Sequence, residues 1–208
     1  MIPLFVDCSG RRIIIFGGGE VASRKAAYFS GEAEVLVISR SFSHKMSILP
    51  VKRQMLDVGR ISDEDLNGII DGAFLVVGAL SDPAQNNRIK TLCMARDILF
   101  NNADGEAGDV IIPSVTGGNN YQLAISTKGN SPAVSRFIRE HLESEFPALD
   151  DMIALQRDLR GQLKQTESSP SRRNVILWEV LHDRELWKVL KTDPAAADNL
   201  VKERYLHE

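Results

Sequence analysis

The stretch IIIFGGGEVASRK, residues 13–25, decides the fold of this chain. Three isoleucines and a phenylalanine make a fully apolar run, the pattern of a strand buried on both faces. The run stops at Gly17, Gly18 and Gly19, and a segment with Ala22, Ala26 and Phe29 at helical spacing starts behind them. Gly17-x-Gly19-x-x-Ala22 fits the G-x-G-x-x-A variant of the dinucleotide fingerprint. Each small residue has its own task there. Gly17 allows the tight turn off the strand, Gly19 removes the Cβ that would hold a pyrophosphate away from the backbone, and Ala22 lets helix and strand pack closely. The anion then rests on unpaired N–H groups at the positive end of the helix. A purely structural turn is the competing reading of the same glycines.

Working outward, strands are expected at 12–16, 34–39 (EVLVIS), 73–80 (AFLVVGAL) and 98–104 (ILFNNAD), with helices between them. Ser62 and Asp65 have capping-box spacing, and Asp82-Pro83 reads as a cap followed by proline at the first helical position. Strand–helix alternation of this kind predicts an α/β, Rossmann-type parallel sheet covered on both faces. The pattern then changes. DVIIPSV and YQLAISTKG flank TGGNN and read as a hairpin, and Ser131-Pro132 starts a helix with Val134, Phe137, Ile138 and Leu142 as its apolar stripe. After Pro147 the pattern is helical, with breaks at 166–171 and 192–194. The expected division is a nucleotide-binding domain over 1–113, a hairpin and helix over 114–147, and a helical C-terminal domain over 148–208.

Bulk composition narrows the function classes. The 208 residues are 43% hydrophobic and 25% charged, with a net charge of −3, so nothing draws the chain generally to nucleic acid or anionic lipid. Cys8 and Cys93 stand far apart, outside any C-x-x-C spacing, and read as reduced thiols rather than a disulfide or metal ligands. No apolar run reaches a membrane-spanning length, and the N-terminus lacks signal-peptide features, so a cytoplasmic location is expected. The histidines at 44, 141, 182 and 207 have no ligand spacing, and His141 reads as a helix-packing residue; no metal site is expected.

The end of the second strand should meet the cofactor's ribose, and it carries Ser39, Arg40 and Ser41 instead of an acidic residue. By the general rule Arg40 leans toward the 2′-phosphate of NADP, or is a solvated loop cation. No Tyr-x-x-x-Lys pair, HExxH motif or GxSxG elbow occurs. Chemistry in such a sheet belongs at the carboxyl ends of the strands, where Asp104 is placed either to move a proton or to cap the turn at Gly105.

Taken together, PLFVDCSGRRIIIFGGGEVASRKA, LFNNAD followed by VIIPSV, and LAISTKGNSPAVSRFIRE resemble the precorrin-2 dehydrogenase family, in order, through residues 3 to about 145. That family includes stand-alone dehydrogenases, chelatase-bearing relatives and the N-terminal module of siroheme synthase, whose methyltransferase module is not expected in a chain of 208 residues. The resemblance implies NAD-dependent oxidation of precorrin-2 to sirohydrochlorin and, in bifunctional members, insertion of ferrous iron to give siroheme. It implies NAD rather than NADP, with contacts at Glu20, Val21, Arg40 and Ser41, and a catalytic base at Asp104. It implies a substrate-binding stretch at Thr127 and Lys128, where relatives commonly carry serine at the Thr127 position. Lys128, Arg136 and Arg139 are candidate cations for a polycarboxylate. Residues 114–145 resemble the family's dimerisation segment, so a homodimer is expected. Trp178 and Trp187 in the C-terminal helices read as core anchors. A dehydrogenase alone and a dehydrogenase–ferrochelatase both fit the residues; the rivals outside enzymes are a non-catalytic NAD-sensing module and a tetrapyrrole carrier.

Overall fold

The structure, a computed structural model, describes residues 2–103 and 108–206. It divides into two compact units, Met1–Ile112 and Pro113–Glu208.

In the first unit, β1 (Arg12–Phe16), β2 (Glu34–Ser39), β3 (Lys52–Met55), β4 (Leu75–Gly78) and β5 (Leu99–Asn102) form one parallel sheet in the order β3-β2-β1-β4-β5. Helices α1 (Glu20–Phe29), α2 (His44–Ser47), α3 (Asp63–Ile70) and α4 (Pro83–Met94) connect them, with a 3₁₀ turn at Val58–Arg60. The strand period of two distributes β1 between two cores. Ile14 and Phe16 pack with Leu66, Ile70 and Ile89 of α3 and α4, whereas Ile13 and Ile15 pack with Ala22, Ala26 and Phe29 of α1 and Met46 of α2. Ile13, Ile14, Ile15 and Phe16 are each fully excluded from solvent. Burial of this extent is worth roughly 1.5–3 kcal/mol per side chain, which makes β1 the central stabilising element.

The local stop signals hold. Ser62 and Asp65 form the expected capping box, and Asp82 caps α4 with Pro83 in its first turn. The strands expected at 73–80 and 98–104 contract to Leu75–Gly78 and Leu99–Asn102. Strand β3 is an addition to the sequence reading. Its four residues, Lys-Arg-Gln-Met, are all exposed on the sheet edge, so no buried face imposes an apolar pattern.

The second unit opens with the antiparallel pair β6 (Ser114–Gly117) and β7 (Gln122–Ile125), then α5 (Pro132–Glu145). Helices α6 (Leu149–Thr166), α7 (Pro170–His182), α8 (Arg184–Thr192) and α9 (Pro194–Tyr205) follow. Met152, Leu155, Leu159 and Leu163 line one face of α6 and pack with Val180, Leu186, Leu190, Ala197 and Val201. The breaks near 166–171 and 192–194 fall where proline and polar residues put them; a further break at Asp183, which caps α8, was not apparent in the sequence. Trp187 is a core anchor, its indole N–H donating to Leu181 O (2.9 Å). Trp178 is not: it is 63% exposed and stacks on His182, because α7 turns that face to solvent.

Candidate cofactor and active site

The strand order reverses between β1 and β4, so the connections leaving the sheet diverge there and open a crevice at its carboxyl edge. A cleft of about 650 Å³ occupies that edge, lined by residues 17–19, 39–43, 56–59 and 79–82 and by Gln85. Loops after four consecutive strands of the sheet thus contribute to one site.

The glycine turn is held by its neighbours on both sides. Gly17 N–H donates to Ile38 O (2.8 Å), Ala79 N–H to Phe16 O (2.8 Å), and Ser43 N–H to Gly18 O (2.8 Å). The Ser23 hydroxyl donates to Gly19 O and lies 2.9 Å from the Ser43 hydroxyl, fastening α1 to the loop after β2. The three glycines differ in what forbids a side chain. Gly17 has φ +127°, and a Cβ there would collide with the Ala79 carbonyl. At Gly18 it would collide with Ser41 O, a requirement the x of the fingerprint conceals. At Gly19 it would meet nothing within 4 Å, and the backbone is extended (φ −84°, ψ −168°). Gly19 is therefore dispensable to the protein's own packing and leaves space open over the helix start. The first α-helical backbone bond of α1 is Ser23 N–H to Gly19 O (2.9 Å), and Gly19 offers no side-chain cap to the N–H groups of the first turn. An anionic diphosphate fits this cradle on both steric and electrostatic grounds.

The expected cofactor residues divide by position. Gly17, Gly19, Arg40 and Ser41 line the cleft. Ala22 is buried beneath it in the α1 face of the core. Glu20 and Val21 do not line it: the Glu20 carboxylate is turned to Lys45 Nζ (2.6 Å), and the Val21 side chain is exposed. Their place in the first turn of α1 leaves them backbone N–H groups to contribute. Sequence reasoning passed over Asp57 and Asn86. Asp57 follows the unread edge strand and lines the cleft. Asn86, buried in α4, accepts from Leu80 N–H (3.1 Å) and donates to Leu80 O (2.9 Å), so both sides of a cleft-wall residue are fixed by one amide. The only signal of Asn86 was a polar residue one turn past a helix cap.

Asp104 lies outside the described residues. The flanks of 104–107 are anchored: Ala103 N–H donates to Gly78 O (2.8 Å), Val110 N–H to Phe100 O (3.2 Å), and the Asn101 amide to Val110 O (2.7 Å). Phe100 N–H adds a bond to the Asp109 carboxylate (3.1 Å).

In the second unit, the Thr127 hydroxyl accepts from Ser131 N–H and donates to Ser131 O, both at 3.0 Å, so it holds the turn before α5. Lys128 stands exposed in that turn at φ +56°, followed by Gly129 at φ +84°. Arg136 is exposed and bonded to Glu140 (2.6 Å), and Arg139 is bonded to Glu143 (2.8 Å). His141 is exposed and stacks on Phe137. Among the described residues no cluster of His, Cys, Asp or Glu suits a metal ion, and no helix is long and apolar enough to cross a membrane.

The parallel sheet, its switch point and the open glycine turn define a Rossmann-type dinucleotide-binding protein. The family model described as "Putative NAD(P)-binding" matches residues 4–114, and that of the "Sirohaem biosynthesis protein central" region matches residues 122–145. The precorrin-2 dehydrogenase of Methanosarcina barkeri is 44% identical over 191 residues, covering 89% of this chain and 85% of that protein. Siroheme synthase 2 of Yersinia pestis is 33% identical over 184 residues, 86% of this chain and 38% of the longer synthase. The solved structure of SirC, a precorrin-2 dehydrogenase, shares the fold with a TM-score of 0.72 at 24% identity, covering 98% of this chain and all of that one. The chain belongs to the precorrin-2 dehydrogenase family.

Proposed function

We propose that this protein oxidises precorrin-2 to sirohydrochlorin with NAD, in the biosynthesis of siroheme or another modified tetrapyrrole. The observation that carries the reading is the cradle at Gly17–Gly19, open where a diphosphate belongs, in a chain 44% identical to a precorrin-2 dehydrogenase over most of its length. Bound NAD supplies a hydride acceptor. The chain's own residues then have four tasks. The first turn of α1 holds the diphosphate, and Arg40 and Ser41 meet the ribose beyond it. Asp104 takes the proton that leaves the macrocycle as the hydride departs, so that two hydrogens are removed and one carboxylate is protonated. Thr127 holds the turn that presents Lys128 to the substrate's carboxylates, and Arg136 adds a second cation when it exchanges Glu140 for substrate.

The protein works as a homodimer in this reading. Val134, Phe137 and Ile138 of α5 form one exposed apolar stripe, 46%, 69% and 37% accessible, which a second copy covers. The reading places it in the cytoplasm, where NAD and reduced thiols such as Cys8 and Cys93 coexist. Ferrous iron enters as a second substrate if the same carboxylate also removes pyrrole protons.

Anaerobic incubation of precorrin-2 with NAD, followed by absorbance, tests the activity in wild type and Asp104→Ala. Formation of sirohydrochlorin that needs NAD and is lost in the variant, with NAD affinity retained, is the expected result. Addition of Fe(II) to the same mixture reads chelation directly. A protein that binds NAD and leaves precorrin-2 unchanged is a nucleotide sensor, and the dehydrogenase reading falls.

A further inference from the structure

We infer that Asp57 is the adenine-reading residue of the dinucleotide cleft, accepting a hydrogen bond from the exocyclic amino group of the base; the inference rests on the proposed use of NAD. Its first ground is position. The glycine turn after β1 fixes where the diphosphate lies, and the end of β2 is where the adenosine ribose belongs. The base must continue in the same direction across the sheet, and the next strand in that direction is β3. Leu56 N–H donates to Ser39 O (3.0 Å), so the chain leaving β3 stays paired with β2 up to the cleft. Asp57 is the next residue, and both line the cleft.

The second ground is chemistry. Leu56, Val58 and Leu80 give this end of the cleft apolar walls suited to a flat heterocycle, and Asp57 and Gln85 give it polar groups. The Asp57 carboxylate is oriented but not exhausted. One oxygen accepts from Gly59 N–H (3.1 Å); the other is 3.4 Å from Arg60 Nε, whose side chain is 86% exposed. An ionised carboxylate has about four acceptor sites, so capacity remains for an amino donor.

The third ground is rigidity. Arg88 of α4 donates to Val58 O (3.0 Å), Ile61 O (2.8 Å) and the Gln85 side chain (3.2 Å), and pairs with Asp63 (2.6 Å). One guanidinium therefore ties the turn bearing Asp57 to the helix bearing Gln85. A recognition group held in place loses little freedom on binding.

Adenine presents an amino donor where hypoxanthine presents a carbonyl acceptor, so a carboxylate facing that edge distinguishes them. The test is calorimetric titration of the full chain with NAD and with nicotinamide hypoxanthine dinucleotide. A charge-assisted hydrogen bond predicts roughly 10- to 100-fold tighter binding of NAD by wild type. Asp57→Asn keeps an oxygen for Gly59 N–H and gains a donor for the hypoxanthine carbonyl, so the preference should narrow to about threefold or less, on the scale of a neutral hydrogen bond. Asp57→Ser, which also keeps a capping oxygen, should narrow it likewise and stands in if the first variant does not fold. Equal affinity of wild type for both dinucleotides, or full preference retained in the variants, overturns the inference and leaves the proposed function standing. Failure of wild type to bind either dinucleotide overturns both.

Discussion

Substitution of Gly19 by alanine separates a ligand's demand for glycine from the protein's own. In the structure an added Cβ meets nothing within 4 Å, and the extended backbone at φ −84° is open to alanine. Alanine is a poorer helix N-cap than glycine, by somewhat under ~1 kcal/mol, but it restricts the unfolded chain by about 0.4–1 kcal/mol in compensation. The net change in stability should lie within about 0.5 kcal/mol, a shift of only about 1–2 °C in the unfolding midpoint. Gly17→Ala is the control. Its φ of +127° and the Ala79 carbonyl carbon 2.8 Å from the added Cβ combine strain with overpacking. Each of those is worth about 1–3 kcal/mol, so Gly17→Ala, at about 2–6 kcal/mol together, should lower the midpoint by roughly 4–20 °C.

Binding should rank the two differently. A methyl group at Gly19 fills the space over the first turn of α1, and forcing a diphosphate past it should remove about 1–3 kcal/mol, or 5- to 150-fold in NAD affinity. Thermal unfolding with and without NAD, together with titration calorimetry, reads both quantities on one preparation. The expected pattern is a Gly19→Ala protein of nearly native stability that NAD no longer stabilises. Native NAD affinity in that variant would refute the assignment of the diphosphate to this turn, and a large loss of stability would refute the claim that the space is open.

Three further outcomes follow from particular contacts. In the second unit, burial by itself raises the Asp183 carboxyl, but Leu186 N–H, the Tyr205 hydroxyl, Glu185 N–H and Arg204 together hold it below its ordinary value. The stability it contributes is present above the unfolded-state pKa and is lost as pH falls through the lower native one. Asp183→Asn should therefore be less stable than wild type at neutral pH, by about 1–3 kcal/mol from weakened charged hydrogen bonds, and the gap in chemical denaturation should close on acidification below pH ~4. Arg88→Met strips donors from Val58 O and Ile61 O and should cost about 2–3 kcal/mol by urea denaturation, with weaker NAD binding because Val58 lines the cleft. Burial, with Asp109 adding to it, pushes the Cys93 thiol up to about 12, so a thiol-exchange reagent at pH 8 should modify Cys8 in the folded protein and Cys93 only after denaturation.

What the sequence disclosed and what it hid have physical causes. Strand β1, the glycine turn and α1 were readable residue by residue because their determinants are local: a two-sided burial pattern, a φ that only glycine accepts freely, and small residues on one helix face. The caps at Ser62, Asp82 and Ser131 were readable for the same reason. Strand β3 was not, because its pairing to β2 is backbone to backbone and its exposed side chains record none of it. The break at Asp183 was missed although its cap is local, the carboxylate accepting from Glu185 N–H and Leu186 N–H; what no local pattern records is its further bonding to Arg204 and Tyr205, some twenty residues on. Site residues followed the same division. Gly17, Gly19, Arg40 and Ser41 line the cleft as motif and strand end dictate, whereas Asp57 was missed because the strand that carries it was missed.

That omission bears on the choice of cofactor. Judged on the end of β2 alone, Arg40 without an acidic neighbour suits the 2′-phosphate of NADP. The folded chain brings Asp57 from the adjacent strand end, and Asp82 from the cap of α4, into the cleft that Arg40 lines. The charged residues among the described lining of that cleft are thus one cation and two carboxylates, with the exposed Arg60 Nε 3.4 Å from Asp57 just outside it. A 2′-phosphate would add negative charge to a site whose lining is already net negative, whereas the diphosphate common to both cofactors is met by helix N–H groups rather than by side-chain cations. The local charge balance therefore favours NAD, as the family resemblance implies, although the residues at the end of β2 taken alone point the other way.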